Sequence, residues 1–172
     1  MLTFIANYPN EENEKDGMMQ RVQVIDNIFK TEKRVYLSIS FRKNLFLFKR
    51  RRIDDNLVVW NLNFFSHFFI IFFFMCISKK IYVHSIYNSA KILLFYFLKK
   101  MIITDLHGVV PEELNYLGHK QLCKIANVVE KIVIYKSYRL VSVTNQMTKY
   151  IMRKYKLVNT SKFINLPIFD ND

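Results

Sequence analysis

Short apolar runs alternate with amphipathic segments along most of this chain, and the alternation predicts strands separated by helices. An opening strand is predicted over 2–9 and a helix over 18–29, with Met18, Val22, Ile25 and Phe29 on one face. Further strands are predicted over 57–62, 80–85, 101–103, 139–145 and 163–169. Strands that alternate with helices favour a mostly parallel sheet covered on both faces, so we expect a three-layer α/β/α fold.

The helical segments differ in how they distribute their apolar residues. The helix predicted over 112–136 has a stripe formed by Leu122, Ile125, Val129 and Ile132, which predicts one buried face. The segments 64–77 and 90–100 are apolar on nearly all sides, which is typical of a deeply buried or a lipid-facing helix. A span needs ~20 apolar residues, so we expect a buried or membrane-touching helix after Phe68 rather than a span. Enrichment in Phe, Ile, Lys and Asn is also typical of an AT-rich genome and then has no functional meaning.

The net charge of +12 is concentrated in part around the run 49–52, Lys-Arg-Arg-Arg, which follows an apolar run over 45–48. This combination suits an anionic membrane surface, where each cation contributes ~1 kcal/mol, although a solvated loop would look the same. No recognised nucleic-acid motif accompanies the charge, so no nucleic-acid partner is expected. Cys76 and Cys123 are isolated and no signal peptide is evident, which favours reduced thiols and a cytoplasmic location.

A polar loop follows the apolar strand that ends near Thr104. Asp105 and His107 lie in it, and Pro111 with two acidic residues marks the start of a helix. Ligands bind at the carboxyl ends of strands in open α/β sheets. The Asp-x-His spacing also resembles binuclear-metal phosphoesterases, but that family needs further Gly-Asp and Gly-Asn-His ligands that this sequence lacks. We therefore expect no metal here.

The order of these elements resembles the N-terminal, acceptor-side domain of retaining GT-B glycosyltransferases of the bacterial surface and capsular polysaccharide type. The resemblance rests on the opening strand with Gly17 after the polar loop 11–16, the block 104–113, the strand end 141–144 and the Asn-Leu-Pro over 165–167. It implies a single Rossmann-like domain over 1–172. It also implies a nucleotide-sugar-binding C-terminal domain that this sequence lacks, without which the chain is expected to be inactive.

The resemblance also implies roles for individual residues. Gly17 corresponds to the glycine against the donor diphosphate, and His107 corresponds to the histidine that lines the sugar pocket. Asp105 is expected to assist His107 in catalysis. Acceptor contacts are expected from Glu113, Thr144 and Asn145, although the glutamate could serve only the helix start and the threonine only a helix cap. The nucleotide-sugar is the co-substrate, with neither cofactor nor metal expected.

The partners implied are a glycan or polyprenyl-linked sugar acceptor, the missing C-terminal GT-B domain and an anionic membrane surface. A peripheral position on the inner membrane face would suit such an acceptor. A hypothesis from another class is a small non-catalytic membrane-associated protein anchored by the Phe-rich apolar helices. His67 and His84 are expected to be structural.

Overall fold

The computed structural model describes residues 1–9, 17–98 and 101–166. Expectations that concern the loop 11–16, residues 99–100 and residues 167–169 lie outside these described residues. The chain divides into two compact units, Met1–Val83 and His84–Asp172.

The described residues of the first unit form five strands and two helices. They are β1 (Leu2–Ile5), α1 (Gly17–Ile28), β2 (Arg34–Ser40), β3 (Lys49–Asp54), β4 (Leu57–Asn63), α2 (Phe68–Ile77) and β5 (Lys80–His84), whose last residue belongs to the second unit. The strand order is β3-β4-β2-β1-β5, and β3 is antiparallel to its neighbour β4 whereas the other pairings are parallel. All four residues of β1 are buried, as expected for a strand covered on both faces.

In the second unit, the part of the chain that the structure describes forms three strands, four α-helices and two short 3-10 turns. They are α3 (Ser85–Lys91), a 3-10 turn (Leu93–Leu98), β6 (Ile102–Leu106), α4 (Val110–Tyr116), α5 (Lys120–Lys136), β7 (Arg139–Ser142), α6 (Asn145–Lys154), a 3-10 turn (Thr160–Lys162) and β8 (Phe163–Asn165). Strand β7 pairs in parallel with both β6 and β8. Because parallel neighbours end at the same edge, the polar residues that follow β6 and β7 share one edge of this unit.

The expected α/β Rossmann-like fold with a mostly parallel sheet and flanking helices is confirmed. One strand was not foreseen: β2 covers an apolar run, Val35 to Leu37 with Ile39, to which the sequence analysis assigned no element. A second, β3, is formed by the basic run that was expected to be a surface loop or membrane patch. Its residues are all exposed, so it is a strand held by backbone pairing with β4 rather than by burial.

The helix expected over 112–136 is wrong as a single element. It is divided into α4 and α5 near Gly118, whose φ of +78° lies in the left-handed region that favours glycine. The expected buried stripe is also displaced, because Leu122 is 53% and Ile125 60% exposed. The buried face of α5 is formed by Ala126, Val129, Glu130, Val133 and Ile134. This face includes the buried Glu130, so a pattern of apolar residues alone does not identify it.

The apolar segments form short helices. Helix α2 has 10 residues and buries Ile71, Phe74 and Met75, whereas Phe69 on another side is 84% exposed. The helix expected over 90–100 is replaced by the end of α3 and a 3-10 turn. Across the described ranges, no helix combines the length and the apolarity that crossing a membrane requires.

Candidate functional site

Two histidines and a buried aspartate meet at the strand ends in the second unit. His84 is the last residue of β5, Asp105 lies in β6, and His107 directly follows β6. His84 Nδ1 lies 3.7 Å from Asp105 Oδ2, which is too long for a hydrogen bond but close enough for electrostatic attraction. The His84 and His107 rings are 5.6 Å apart between centroids. The structure thus brings together the two predicted catalytic residues and adds His84, which the sequence analysis had left as structural.

The backbone turn after β5 fixes His84 in place. Ser85 has a φ of +72°, a left-handed conformation that costs a residue other than glycine on the order of 1–3 kcal/mol. The Asn88 side chain donates from Nδ2 to the His84 carbonyl at 2.7 Å, and Ser89 Oγ donates to the Ser85 carbonyl at 2.9 Å. These bonds hold the turn between β5 and α3. Such strained residues cluster at functional sites, and this one adjoins the histidine pair.

The loop between β6 and α4 brings Glu113 back towards Gly108. A Cβ atom at Gly108 would come too close to the Glu113 carboxylate, so a larger residue there would displace the flexible end of that side chain. Helix α4 begins at Val110 with Pro111 and two acidic residues in its first turn, as the sequence predicted. The exposed Glu113 carboxylate therefore lies over the loop that carries His107, where a polar ligand could reach it.

The neighbouring Glu112 belongs to a separate network that joins α4, α5 and α6. Lys154 Nζ donates to Glu112 Oε1 and to Glu130 Oε1, both at 2.7 Å, and Tyr155 donates to Glu130 Oε1 at 2.6 Å. Burial raises the pKa of Glu112, but hydrogen bonds from Lys154 and Tyr150 outweigh it, and the net pKa lies below its ordinary value. Burial lowers the pKa of Lys154, but hydrogen bonds to Glu112 and Glu130 outweigh it, and the net pKa lies above its ordinary value. This network holds the helices around the candidate site.

Thr144 and Asn145 follow β7, at the same edge as His107. Thr144 is the N-cap of α6 and its Oγ1 accepts from the Met147 amide at 3.1 Å, so the helix-cap alternative is realised. The Asn145 side-chain oxygen accepts from Asn165 Nδ2. Asn165 Oδ1 in turn accepts from Ser142 Oγ at 2.6 Å. Both predicted acceptor residues are exposed but already hold local structure, and their acceptor role stays a prediction.

Gly17 and His67 lie in the first unit. Gly17 is the first residue of α1, and a Cβ atom there would have no neighbour within 4 Å, so the space beside this helix end is open. Its predicted contact with a donor diphosphate stays a prediction. His67 Nδ1 accepts from the Asn63 amide at 3.0 Å, which agrees with the expected structural role. Among the described residues, no group of three or more His, Cys, Asp or Glu side chains could hold a metal ion.

Comparisons with known proteins support the fold. No protein-family model matches the chain, and no curated protein matches it. A solved structure described as "Trehalose-6-phosphate from E. coli bound with UDP-2-fluoro glucose" matches with a TM-score of 0.60 and 9% sequence identity. The match covers 97% of this chain and 48% of that chain, so this chain spans about half the length of its structural neighbour. The chain has a GT-B glycosyltransferase-like fold.

Proposed function

We propose that this chain is the acceptor-binding half of a retaining GT-B glycosyltransferase of the surface or capsular polysaccharide type. It would transfer a sugar from a nucleotide-sugar to a growing glycan or a lipid-linked acceptor. The observation that supports this function is the cluster of His84, Asp105 and His107 at the strand ends of a chain with a GT-B-like fold. A C-terminal domain, the expected partner, would bind the nucleotide.

Each side chain of the cluster has a role in this proposal. A sugar hydroxyl needs a positioned hydrogen-bond partner as it approaches the anomeric carbon, and the His107 imidazole supplies one. The buried Asp105 carboxylate, 3.7 Å from His84 Nδ1, positions the imidazole ring beside it. Glu113, Thr144 and Asn145 contact acceptor hydroxyls, and Gly17 allows the donor diphosphate to approach the start of α1. These roles need neither a metal nor a cofactor.

Replacement of His107 tests this function. With the chain joined to a nucleotide-sugar-binding GT-B domain, His107→Ala should reduce sugar transfer about 10²-fold or more, as expected for the loss of a positioned polar group. His119→Ala is the matched control, because His119 is exposed at the start of α5 and makes no side-chain capping bond. Equal activity of the two variants would contradict the assignment of His107.

The chain without a donor domain should transfer no sugar from a panel of uridine and guanosine diphosphate sugars. The physical reason is that the proposed nucleotide-binding surface belongs to the other domain. Robust transfer by the purified 172-residue chain would contradict the two-domain proposal.

We also propose a cytoplasmic protein that binds peripherally to an anionic inner membrane face. The basic strand β3 is exposed throughout, and Phe46 and Leu47 before it are 92% and 78% exposed. Binding to vesicles that contain phosphatidylglycerol should weaken as salt rises, because exposed charges are screened within ~10 Å at 0.1 M. Salt-independent binding would contradict a peripheral electrostatic attachment.

A second candidate is the non-catalytic membrane-associated protein. The observation that favours it is the exposed aromatic side of α2, where Phe69 and Phe73 are 84% and 56% exposed. Carbonate extraction of the cell membrane fraction separates the two candidates. Release by carbonate favours the peripheral glycosyltransferase domain, whereas a requirement for detergent favours anchoring by the apolar helices.

A further inference from the structure

The first unit contains a cavity of about 810 Å³. Its polar lining comes from three parallel strands at their carboxyl ends: Asn7 follows β1, Ser38 lies in β2 and Asn61 lies in β4. Ligands of open α/β sheets bind at this edge, and cavities of roughly 300–1,000 Å³ accommodate small molecules. The cavity therefore has the position and the size of a ligand site.

Hydrogen bonding and register organise the polar lining. Ser38 Oγ donates to Asn7 Oδ1 at 2.7 Å. The side-chain Nδ2 of Asn7 therefore points away from Ser38 and can donate to a ligand. Ser38 and Asn61 are partners in the pairing of β2 with β4, so their side chains lie side by side. Burial raises the pKa of Tyr8, which also lines the cavity, so its hydroxyl stays protonated at neutral pH and can donate. The lining thus offers several neutral donors.

The cavity is lined by Lys49, Arg50 and Arg51 of strand β3. Because successive strand residues point to opposite faces, Lys49 and Arg51 share one face of the sheet, and the Arg50 side chain lies on the other face with Trp60. Strand β3 runs antiparallel to β4, and its register places Lys49 opposite Asn61, Arg50 opposite Trp60 and Arg51 opposite Val59. The Arg50 guanidinium lies 5.5 Å from the centre of the Trp60 ring, and that of Arg51 lies 5.8 Å from the centre of the Tyr8 ring. Aromatic faces at these distances attract and orient guanidinium groups.

The charge of this lining selects for an anion. No carboxylate occurs among the described residues that line the cavity, so the two cations that share its face, Lys49 and Arg51, are not neutralised by the lining itself. Arg52, the next residue of β3, differs because its guanidinium pairs with Asp55 at 2.7 Å and it does not line the cavity. Guanidinium groups bind phosphate in two-point geometry, and amide and hydroxyl donors complete such a site.

We propose that this cavity binds the phosphate group of a small phosphorylated ligand. Arg51 pairs with the phosphate oxygens, Lys49 on the same face of β3 supplies a further positive charge, and Asn7 and Tyr8 donate hydrogen bonds. The remaining volume admits a sugar ring or a prenyl chain. The identification of this ligand as the acceptor of sugar transfer rests on the proposed function, whereas its phosphate group follows from the cavity alone.

Fluorescence of Trp60 provides the test, because Trp60 is the only tryptophan of the sequence and lies in β4 between Val59 and Asn61, which line the cavity. Glucose 1-phosphate titrated into the full chain should change the emission saturably, and uncharged glucose should not. Arg51→Gln should weaken the binding about tenfold or more, as expected for losing one hydrogen bond to a charged group. Arg52→Gln, the matched control, should leave it unchanged. Thermal unfolding followed by circular dichroism verifies that both variants are folded.

Further ligands distinguish the sources of the phosphate. Binding of a short-chain prenyl phosphate but not of glucose 1-phosphate, with the same dependence on Arg51, would support the cavity and assign it to a lipid carrier. Equal weakening by Arg51→Gln and Arg52→Gln would overturn the proposal. It would also be overturned if phosphatidylglycerol vesicles bind while neither soluble phosphate does. The assay measures binding and not sugar transfer. Phosphate binding can therefore be confirmed even if the proposed role of His107 is wrong, and each proposal can be refuted separately.

Discussion

Replacement of Lys154 by methionine should destabilise the second unit strongly, because one ammonium group serves two carboxylates. Its Nζ lies 2.7 Å from Glu112 Oε1 and 2.7 Å from Glu130 Oε1. The Glu130 side chain is only 1% exposed, so water cannot replace the lost partner. The hydrogen bond from Tyr155 at 2.6 Å would remain, but it carries no charge. The variant therefore leaves a buried carboxylate without a counter-charge.

The expected loss of unfolding free energy is about 3–5 kcal/mol, the usual cost of removing one partner of a buried ion pair. Glu112, which is about a third exposed, adds little to this figure because solvent screens its charge. In a chain of this size, the loss corresponds to a midpoint lowered by roughly 6–20 °C. Thermal unfolding at neutral pH, followed by circular dichroism, measures it.

A double variant serves as the control. Lys154→Met combined with Glu130→Leu removes both buried charges, and an apolar pair of similar volume often restores stability. The double variant should therefore be more stable than Lys154→Met alone. A loss below about 1 kcal/mol in the single variant, or no recovery in the double variant, would refute the reasoning that an uncompensated buried charge causes the effect.

Acid should weaken the same network. The folded pKa of Glu112 lies below its ordinary value, so its contribution to stability is present above the unfolded pKa of ~4.3 and is lost as the pH falls through the folded pKa. The contribution of Lys154 has the opposite sign: its raised pKa gives stability that is full below ~10.4 and is lost as the pH rises through the folded value. Unfolding midpoints measured against pH for the wild-type chain and Lys154→Met should converge at both extremes.

Four further substitutions have defined outcomes in the same unfolding assay. Ser85→Gly should raise stability, by up to about 1 kcal/mol, because it relieves a left-handed backbone, and a loss would show that the serine hydroxyl matters more. Phe73→Ser, at a 56% exposed position, should change the unfolding free energy by less than about 0.5 kcal/mol. Phe74→Ala, at a 9% exposed position, should lower it by about 3–5 kcal/mol. Similar losses for the two variants would refute the burial of one face of α2. Thr144→Ala should cost about 1 kcal/mol by removing the acceptor for the Met147 amide, and no loss would contradict the cap.

The elements that could be predicted from the sequence are those in which burial controls the residue pattern. Strands β4, β5 and β6 are apolar because their sheet positions are covered, and the helix α1 was placed to within a residue. Strand β3 could not be predicted in this way, because all six of its residues are exposed and its polar and apolar residues do not alternate. It forms because β4 presents backbone donors and acceptors to it, a long-range condition that no local pattern records.

The candidate site could be predicted only in part, because some of its residues carry a local signal in the sequence and others do not. Asp105 and His107 could be selected because both were expected in the loop after an apolar strand, which is a local signal. The structure corrects the position of Asp105, which is a buried residue of β6, because the strand extends to Leu106. His84 also ends a strand, and that position was the signal that could have added it to the site. Its distance of 3.7 Å from Asp105 depends on how β6 and the Ser85 turn are arranged within the second unit, and the sequence does not report this arrangement.

Two adjacent glutamates show why residue type and position in a motif are not enough to assign a role. Glu112 and Glu113 are equivalent in sequence, both in the first turn of α4. Successive helix residues point about 100° apart, so the two carboxylates face different surroundings. Glu112 bonds to Lys154 between helices, whereas Glu113 is exposed and lies against Gly108 in the loop of His107. The proposed acceptor contact is therefore assigned to Glu113, because the Glu112 carboxylate is already bonded to Lys154.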